Sequence, residues 1–291
     1  MSEFILELYS EEIPPNLQVN ARKDLQEKIK KSLIEENLKF GSLSAFSSPT
    51  RLTIFIKDFS DKIKIPSKEI RGPKVGVIDD IVNNFLKAHG SSRKDLEEKQ
   101  NDKGNFYYIK TKSKEVLTSE ILKKIVVNSI ASIKWKKSMR WSDTDLLWGR
   151  PLRSILAIYD KKILAFSYGH LKASNCVTIE KNLDTKTKKV TNFNDYQKLL
   201  LNNNIILDHE DRERKIIKKF ENFYKIKNFK NNFDIKLLKE VTNIVEDPHV
   251  LLIDFDKKYL ELPKEIIIST LQNHQRYFPI FDKKMKSLIS F

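Results

Sequence analysis

Apolar residues alternate over Phe4 to Tyr9, with Phe4, Leu6 and Leu8 on one face, and this predicts an opening strand. Ser10 to Pro15 interrupts it. Leu17, Ala21, Leu25, Ile29 and Leu33 then recur every fourth residue, the apolar stripe of an amphipathic helix with Lys and Glu outside. Pro49-Thr50-Arg51 introduces a second strand in which Leu52, Ile54 and Ile56 face one way. Arg71-Gly72-Pro73-Lys74 reads as a turn before a helix from Ile78 to Lys87, whose apolar face is Ile78, Ile81, Val82, Phe85 and Leu86. Phe106 to Lys110 is expected as a strand, and Ile121 to Ile133 as a strongly apolar helix.

Further on, Ser154 to Tyr159, the turn Asp160-Lys161-Lys162 and Ile163 to Ser167 form an expected β-hairpin. The lysine-rich stretch from Lys172 to Asn194 reads as a surface excursion. Helices are expected at Asp195 to Leu201 and Asp208 to Tyr224, the second with Asp208, Glu210 and Asp211 where the helix dipole favours acids. Leu237, Leu238 and Val241 predict a helix that feeds a buried strand from His249 to Phe255. Pro263 suits a helix start, with Ile266, Ile267, Thr270 and Leu271 as its apolar face. The apolar run from Met285 to Phe291 resembles a strand without a partner, which suggests a polypeptide that continues.

The pattern as a whole is α+β, with mixed helices and mostly antiparallel strands. It divides into an N-terminal module, residues 1–134, and a second module, residues 135–291, that opens with a basic, tryptophan-rich segment and is cut short at its C-terminal end.

Charge adds the first functional hint. Fifty-four Lys and Arg against 39 Asp and Glu give a net charge of +15, a field that favours phosphate-rich partners. The lysine, isoleucine and asparagine bias of an AT-rich genome would produce part of it. A single cysteine, Cys176, excludes an intramolecular disulfide and fits a cytoplasmic location. No apolar run is long enough for a membrane span, and the acidic start Met1-Ser2-Glu3 is not a signal peptide.

Candidate chemistry concentrates in two places. All three tryptophans, Trp135, Trp141 and Trp148, lie within Lys134 to Arg153 among Lys136, Lys137, Arg140, Arg150 and Arg153. Cations neutralise phosphates and aromatic faces stack on bases, so the interleaving suits an RNA surface, with at least two of the tryptophans expected as core anchors. His274, Gln275 and Arg276, at the end of the last predicted helix, form a second polar patch; cationic residues at a helix C-terminus also complement its dipole. Glu11 and Glu12 could serve acid–base chemistry or complement a helix start. Only seven glycines occur, with no GxxxxGK[ST] or GxGxxG loop, and the five histidines show no metal-ligand spacing. The chain reads as a binder with no catalytic and no metal-ligating residues.

Several short segments are similar, in order, to one known family. Phe4 to Pro15 resembles an ILELxxEEIPP opening, Ser48 to Leu52 a TPRRL strand start and Arg71-Gly72-Pro73 a KGP turn. Lys137-Ser138-Met139-Arg140-Trp141 is similar to KSMRW, and Arg150-Pro151 to the RP after it. Glu240 to Pro248 and Thr270 to Pro279 resemble EVTxLVExP and TMxxHQKYFP. Together they resemble the N-terminal portion of the beta subunit of bacterial tetrameric glycyl-tRNA synthetase. Cys176 to Lys181 departs from the family's Gly-His-Arg-Phe segment, and Asp247 stands where an aromatic usually precedes the proline.

The resemblance implies a subunit of a glycine–tRNA ligase that binds tRNA(Gly) and supports an alpha subunit in an alpha2beta2 tetramer. It implies that ATP, with Mg, is used on the alpha subunit and that no cofactor is bound by this chain. No membrane or DNA partner is expected. HD-like and anticodon-binding regions would follow Phe291. A free-standing RNA-binding or protein-interaction module without ligase activity is the alternative, and a hydrolytic editing enzyme ranks behind it.

Overall fold

The computed structural model describes residues 2–290 except 66, 103, 112, 142, 144, 182–183, 228–233, 255 and 282–287. The described chain forms two compact units, one of residues 1–59 with 122–291 and the other of residues 60–121. The division expected at 134/135 instead falls within the larger unit, because strands from both sides of it share one sheet.

In the larger unit β1 (Ser2–Ser10) precedes α1 (Pro15–Glu35), β2 (Ser42–Ser48) and β3 (Arg51–Phe59). β1 pairs antiparallel with β3, and β3 with β2. Helix α1 packs on β2 and β3 with the apolar stripe that its spacing predicts. The expected second strand is β3; β2, SLSAFSS, has four serines, and its two large apolar residues, Leu43 and Phe46, are three apart and give no alternation to mark it.

The smaller unit holds β4 (Lys62–Ile65), β5 (Glu69–Lys74), α2 (Asp79–Ala88), β6 (Leu96–Asn101), β7 (Gly104–Lys110) and β8 (Lys114–Leu117). Its three-stranded sheet runs β5-β7-β6, and β4 pairs with β8. Arg71 to Lys74, expected as a turn, lies inside β5 as an irregularity in its pairing with β7. Gly72 is needed there because a Cβ would stand 2.6 Å from the Phe85 ring of α2.

α3 (Thr118–Ala131) leads back into the larger unit, where β9 (Met139–Arg140) and β10 (Leu147–Trp148) form a small hairpin. β11 (Leu152–Tyr159) completes the other side of β1, with Phe4 opposite Tyr159 and Tyr9 opposite Ser154. β12 (Lys162–Ile163) folds back on it through Asp160 and Lys161, both at positive φ, as a tight hairpin requires. β13 (Ser167–Tyr168) and β14 (Leu171–Ser174) extend the sheet, β14 lying parallel to β11.

The expected surface excursion is instead β14 followed by the hairpin of β15 (Cys176–Lys181) and β16 (Asp184–Lys189). Val177, Ile179 and Val190 are buried with Ile5, Phe55 and Leu156 against α4 (Phe193–Leu201). A covering layer thus lies on each face of the sheet, and β1 is buried on both sides, not on one as the alternation implied.

α5 (His209–Lys227) and α6 (Ile235–Thr242) pack through Ile216, Phe220 and Leu238. Residues 249–254 form no strand, and Leu251 is 73% exposed, so the expected buried strand is absent there; Phe255 lies outside the described residues. α7 (Lys264–Ser269) follows Pro263, then a π-type turn over Thr270–His274. Its buried face is Leu271 with Ile267 and Ile268, while Ile266 points to solvent. β17 (Ile280–Phe281) pairs with β18 (Leu288–Ser290), so the last described apolar strand has a partner; residues 285–287 and 291 lie outside the described residues.

Candidate nucleic-acid interface

The tryptophan-rich segment is a hairpin on an aromatic anchor. Met139 lies opposite Trp148 and Arg140 opposite Leu147. Trp148 is buried, its ring 5.0 Å from that of Trp135 and 6.4 Å from that of Tyr168. Gly149 permits this packing: a Cβ there would lie 2.4 Å from the Trp135 ring. Trp148 is thus the one tryptophan buried in the core, with the half-buried Trp135 packed against it, where at least two core tryptophans were expected; Trp141 is also half-buried.

Around that anchor Lys136, Lys137, Arg140 and Arg153 are exposed and Arg150 is half-buried. Arg140 pairs with Asp145 at 3.1 Å and Arg153 with Glu180 at 2.5 Å. Exposed pairs of this kind contribute little, so either guanidinium can exchange its carboxylate for a phosphate at small cost. Among the described residues Lys136, Lys137 and Arg150 take part in no ion pair. The hairpin therefore presents a cationic, water-exposed rim whose backbone is held from below by apolar packing.

The second patch is built differently. His274 and Gln275 are exposed, but Arg276 donates from Nε to Glu240 at 2.8 Å and from its guanidinium to the Asn273 carbonyl. Its φ of 59° is the left-handed turn that ends the helix, closed by the Tyr277 amide on the Leu271 carbonyl at 2.8 Å. Arg276 is thus a cap occupied by internal partners. Arg276 and His249 share with Phe220, Leu251, Tyr277 and Phe278 the lining of a mostly apolar cleft of about 250 Å³.

Two buried polar constructions were not legible in the sequence. Glu7 and Arg51, 0% and 1% exposed, meet at 3.1 Å in the centre of the sheet. Tyr196 donates to Glu7 at 2.6 Å, Arg51 reaches Glu246 at 3.0 Å, and Ser48 and Thr50 donate to that same Glu246 oxygen. Burial pushes the Glu7 carboxyl up, opposed by Arg51 and the Tyr196 hydroxyl. Arg212, also 0% exposed, spends its donors on four carbonyls, those of Thr242, Ile206, Leu207 and Ser47. Burial lowers its pKa to about 10. Asp247, where the family usually has an aromatic, pairs with Lys215 and His249, and its carboxyl is held low chiefly by Lys215 against the effect of burial.

His209, at the start of α5, is held at about 4 by burial, reinforced by Arg22 and Arg212. The unfolded imidazole titrates near 6.5, so as pH falls from about 6.5 to about 4 the unfolded state takes the proton first. Stability present above pH 6.5 is lost through that window, by about 2 kcal/mol at pH 5. His209→Gln should flatten the dependence of the urea midpoint on pH between 7 and 5. An unchanged slope would assign that dependence to another group.

No helix among the described residues is long and apolar enough to cross a membrane. A family described as glycyl-tRNA synthetase beta subunit matches residues 4–291. The glycine–tRNA ligase beta subunit of Rickettsia prowazekii (strain Madrid E) is 38% identical over 283 residues, covering 97% of this chain and 42% of the relative. Those of Rickettsia akari (strain Hartford) and Rickettsia felis (strain ATCC VR-1525 / URRWXCal2) are 37% and 38% identical, covering 97% and 98% of this chain and 43% of each relative. The chain spans about two fifths of the length of these relatives.

Proposed function

Because the chain belongs to the glycyl-tRNA synthetase beta subunit family, we propose that it is a tRNA-binding and assembly portion of a glycine–tRNA ligase, without a reaction centre of its own. The observation that carries this reading is the exposed cationic rim of Lys136, Lys137 and Arg140 on the tryptophan-anchored hairpin. Cations so placed replace the counterions of a phosphate backbone and take the affinity from that release. Arg150 and Arg153 continue the rim, and Trp141 offers a ring beside it. His274 and Gln275 add a second point of attachment, with Arg276 shaping the turn that displays them. ATP, with Mg, and glycine are handled on a cytoplasmic alpha subunit, which this chain supports in an alpha2beta2 assembly.

The test is tRNA(Gly) binding by the assembled subunits. A Lys136→Ala, Lys137→Ala, Arg140→Ala variant should bind several-fold more weakly, and the slope of log affinity against log salt should drop by roughly one for each phosphate that is no longer neutralised. An unaltered affinity and slope would remove the hairpin from the interface. Equal binding of all tRNAs, with no association to an alpha subunit, would favour a free-standing RNA-binding or protein-interaction module.

A further inference from the structure

The three-stranded sheet of residues 60–121 has one face packed under α2 and one face turned away from it. Ile70, Leu96, Tyr107 and Ile109 pack under α2 against Val82 and Leu86. Strand alternation therefore sends Phe106 and Tyr108 of the central strand to the opposite face, away from α2. Both residues are half-buried.

The neighbours of these rings are cationic. The Arg71 guanidinium carbon sits 3.6 Å from the centroid of Phe106, and Lys99 Nζ lies 5.6 Å from that of Tyr108. Asn101 donates to the Tyr108 hydroxyl at 3.3 Å. Two carboxylates on the strands of this face, Glu69 and Glu97, are both bound by Lys99, which crosses the central strand to reach Glu69. Among the described residues Arg71, Lys74 and Lys110 are left without a carboxylate partner. The face thus combines two stacking rings at i and i+2 with uncompensated positive charge.

We propose that this face binds single-stranded RNA, with unpaired bases stacking on the Arg71–Phe106 pair and on Tyr108 and the backbone phosphates on Lys74 and Lys110. Duplex RNA keeps its bases stacked inside and offers these rings nothing. The Arg71–Phe106 stack is a ready platform, because a planar guanidinium accepts a base on its free side as a ring does. This surface goes beyond the tRNA reading and does not depend on the hairpin.

The experiment measures anisotropy of a labelled, unstructured RNA of about 12 nucleotides, within the usual footprint of such surfaces, titrated with the whole 291-residue chain. A duplex of equal length serves as comparison. Phe106→Leu and Tyr108→Leu, which retain apolar area but no ring, should each weaken single-strand binding between about 5-fold and 100-fold. The hairpin variant at Lys136, Lys137 and Arg140 should leave that binding unchanged while tRNA binding falls, which separates failure of this inference from failure of the other. Equal affinity for single strand and duplex, or indifference to both leucine variants, would overturn the proposal and leave the face to a protein partner. Should either variant misfold, crosslinking of 4-thiouridine RNA to the unaltered chain decides: labelled peptides must include Phe106 to Tyr108, and labels confined elsewhere overturn it.

Discussion

Arg51→Met is expected to cost about 3–5 kcal/mol of stability, because it leaves the Glu7 carboxylate buried in the sheet without its counter-charge. The missing hydrogen bonds reach further than Glu7. Arg51 also holds Glu246, stacks on the Tyr9 ring at 4.8 Å and donates to the Thr178 carbonyl of the covering hairpin. Adding Glu7→Gln should return part of the loss, since the neutral amide removes the stranded charge while Tyr196 can still bond to it. Urea denaturation of the two single variants and the double variant measures this coupling. A cost below about 1 kcal/mol for Arg51→Met, or strict additivity, would mean that the pair is dispensable.

Arg212→Met should be comparably damaging, on the order of 4 kcal/mol, for a different reason. Among the described residues Arg212 forms no ion pair; its partners are backbone carbonyls. Thr242 is the last residue of α6, whose terminal carbonyls carry the negative end of the helix dipole, and Ser47 lies on β2 at the open edge of the sheet. Ile206 and Leu207 belong to the connection before α5. Methionine fills the space but orphans all of these acceptors at once. Arg212→Lys keeps the charge but only three donors, and should recover part of the stability and not all of it. A methionine variant as stable as the unaltered chain would show that water reaches the carbonyls instead.

How much of this was legible in the sequence follows from where the partners lie. The stripe Leu17 to Leu33 and the alternation in β1 and β3 are local periodicities, and they placed α1 and two central strands correctly. That β1 is covered on both faces was not legible, because its second face carries Glu7 and its neighbour carries Arg51, residues that ordinarily mark solvent. They are made apolar-compatible by Tyr196 and Glu246, both far along the chain. The hairpin Cys176 to Lys189 was hidden for the opposite reason: Val177 and Ile179 are two apolar residues in a lysine-rich run. At the candidate interface, composition identified the cations and the tryptophan anchor. It could not distinguish Lys136 from Arg276, one exposed and without an ion partner among the described residues and the other bound to Glu240, since that depends on which carboxylate the fold brings within reach.

The central sheet also dictates an order of events during synthesis. β1 finds β3 early, but its other edge is closed by β11, which leaves the ribosome about 140 residues later, roughly 7–28 s at ordinary elongation rates. Through that interval a strand of Phe4, Ile5, Leu6 and Leu8 offers an unpaired hydrogen-bonding edge to any nascent chain nearby. Residues 60–121 emerge in the meantime with short-range pairings of their own. The region made first is therefore completed late, and a slow codon between residues 60 and 150 would prolong the stage at which this polypeptide is most exposed to aggregation and to chaperones.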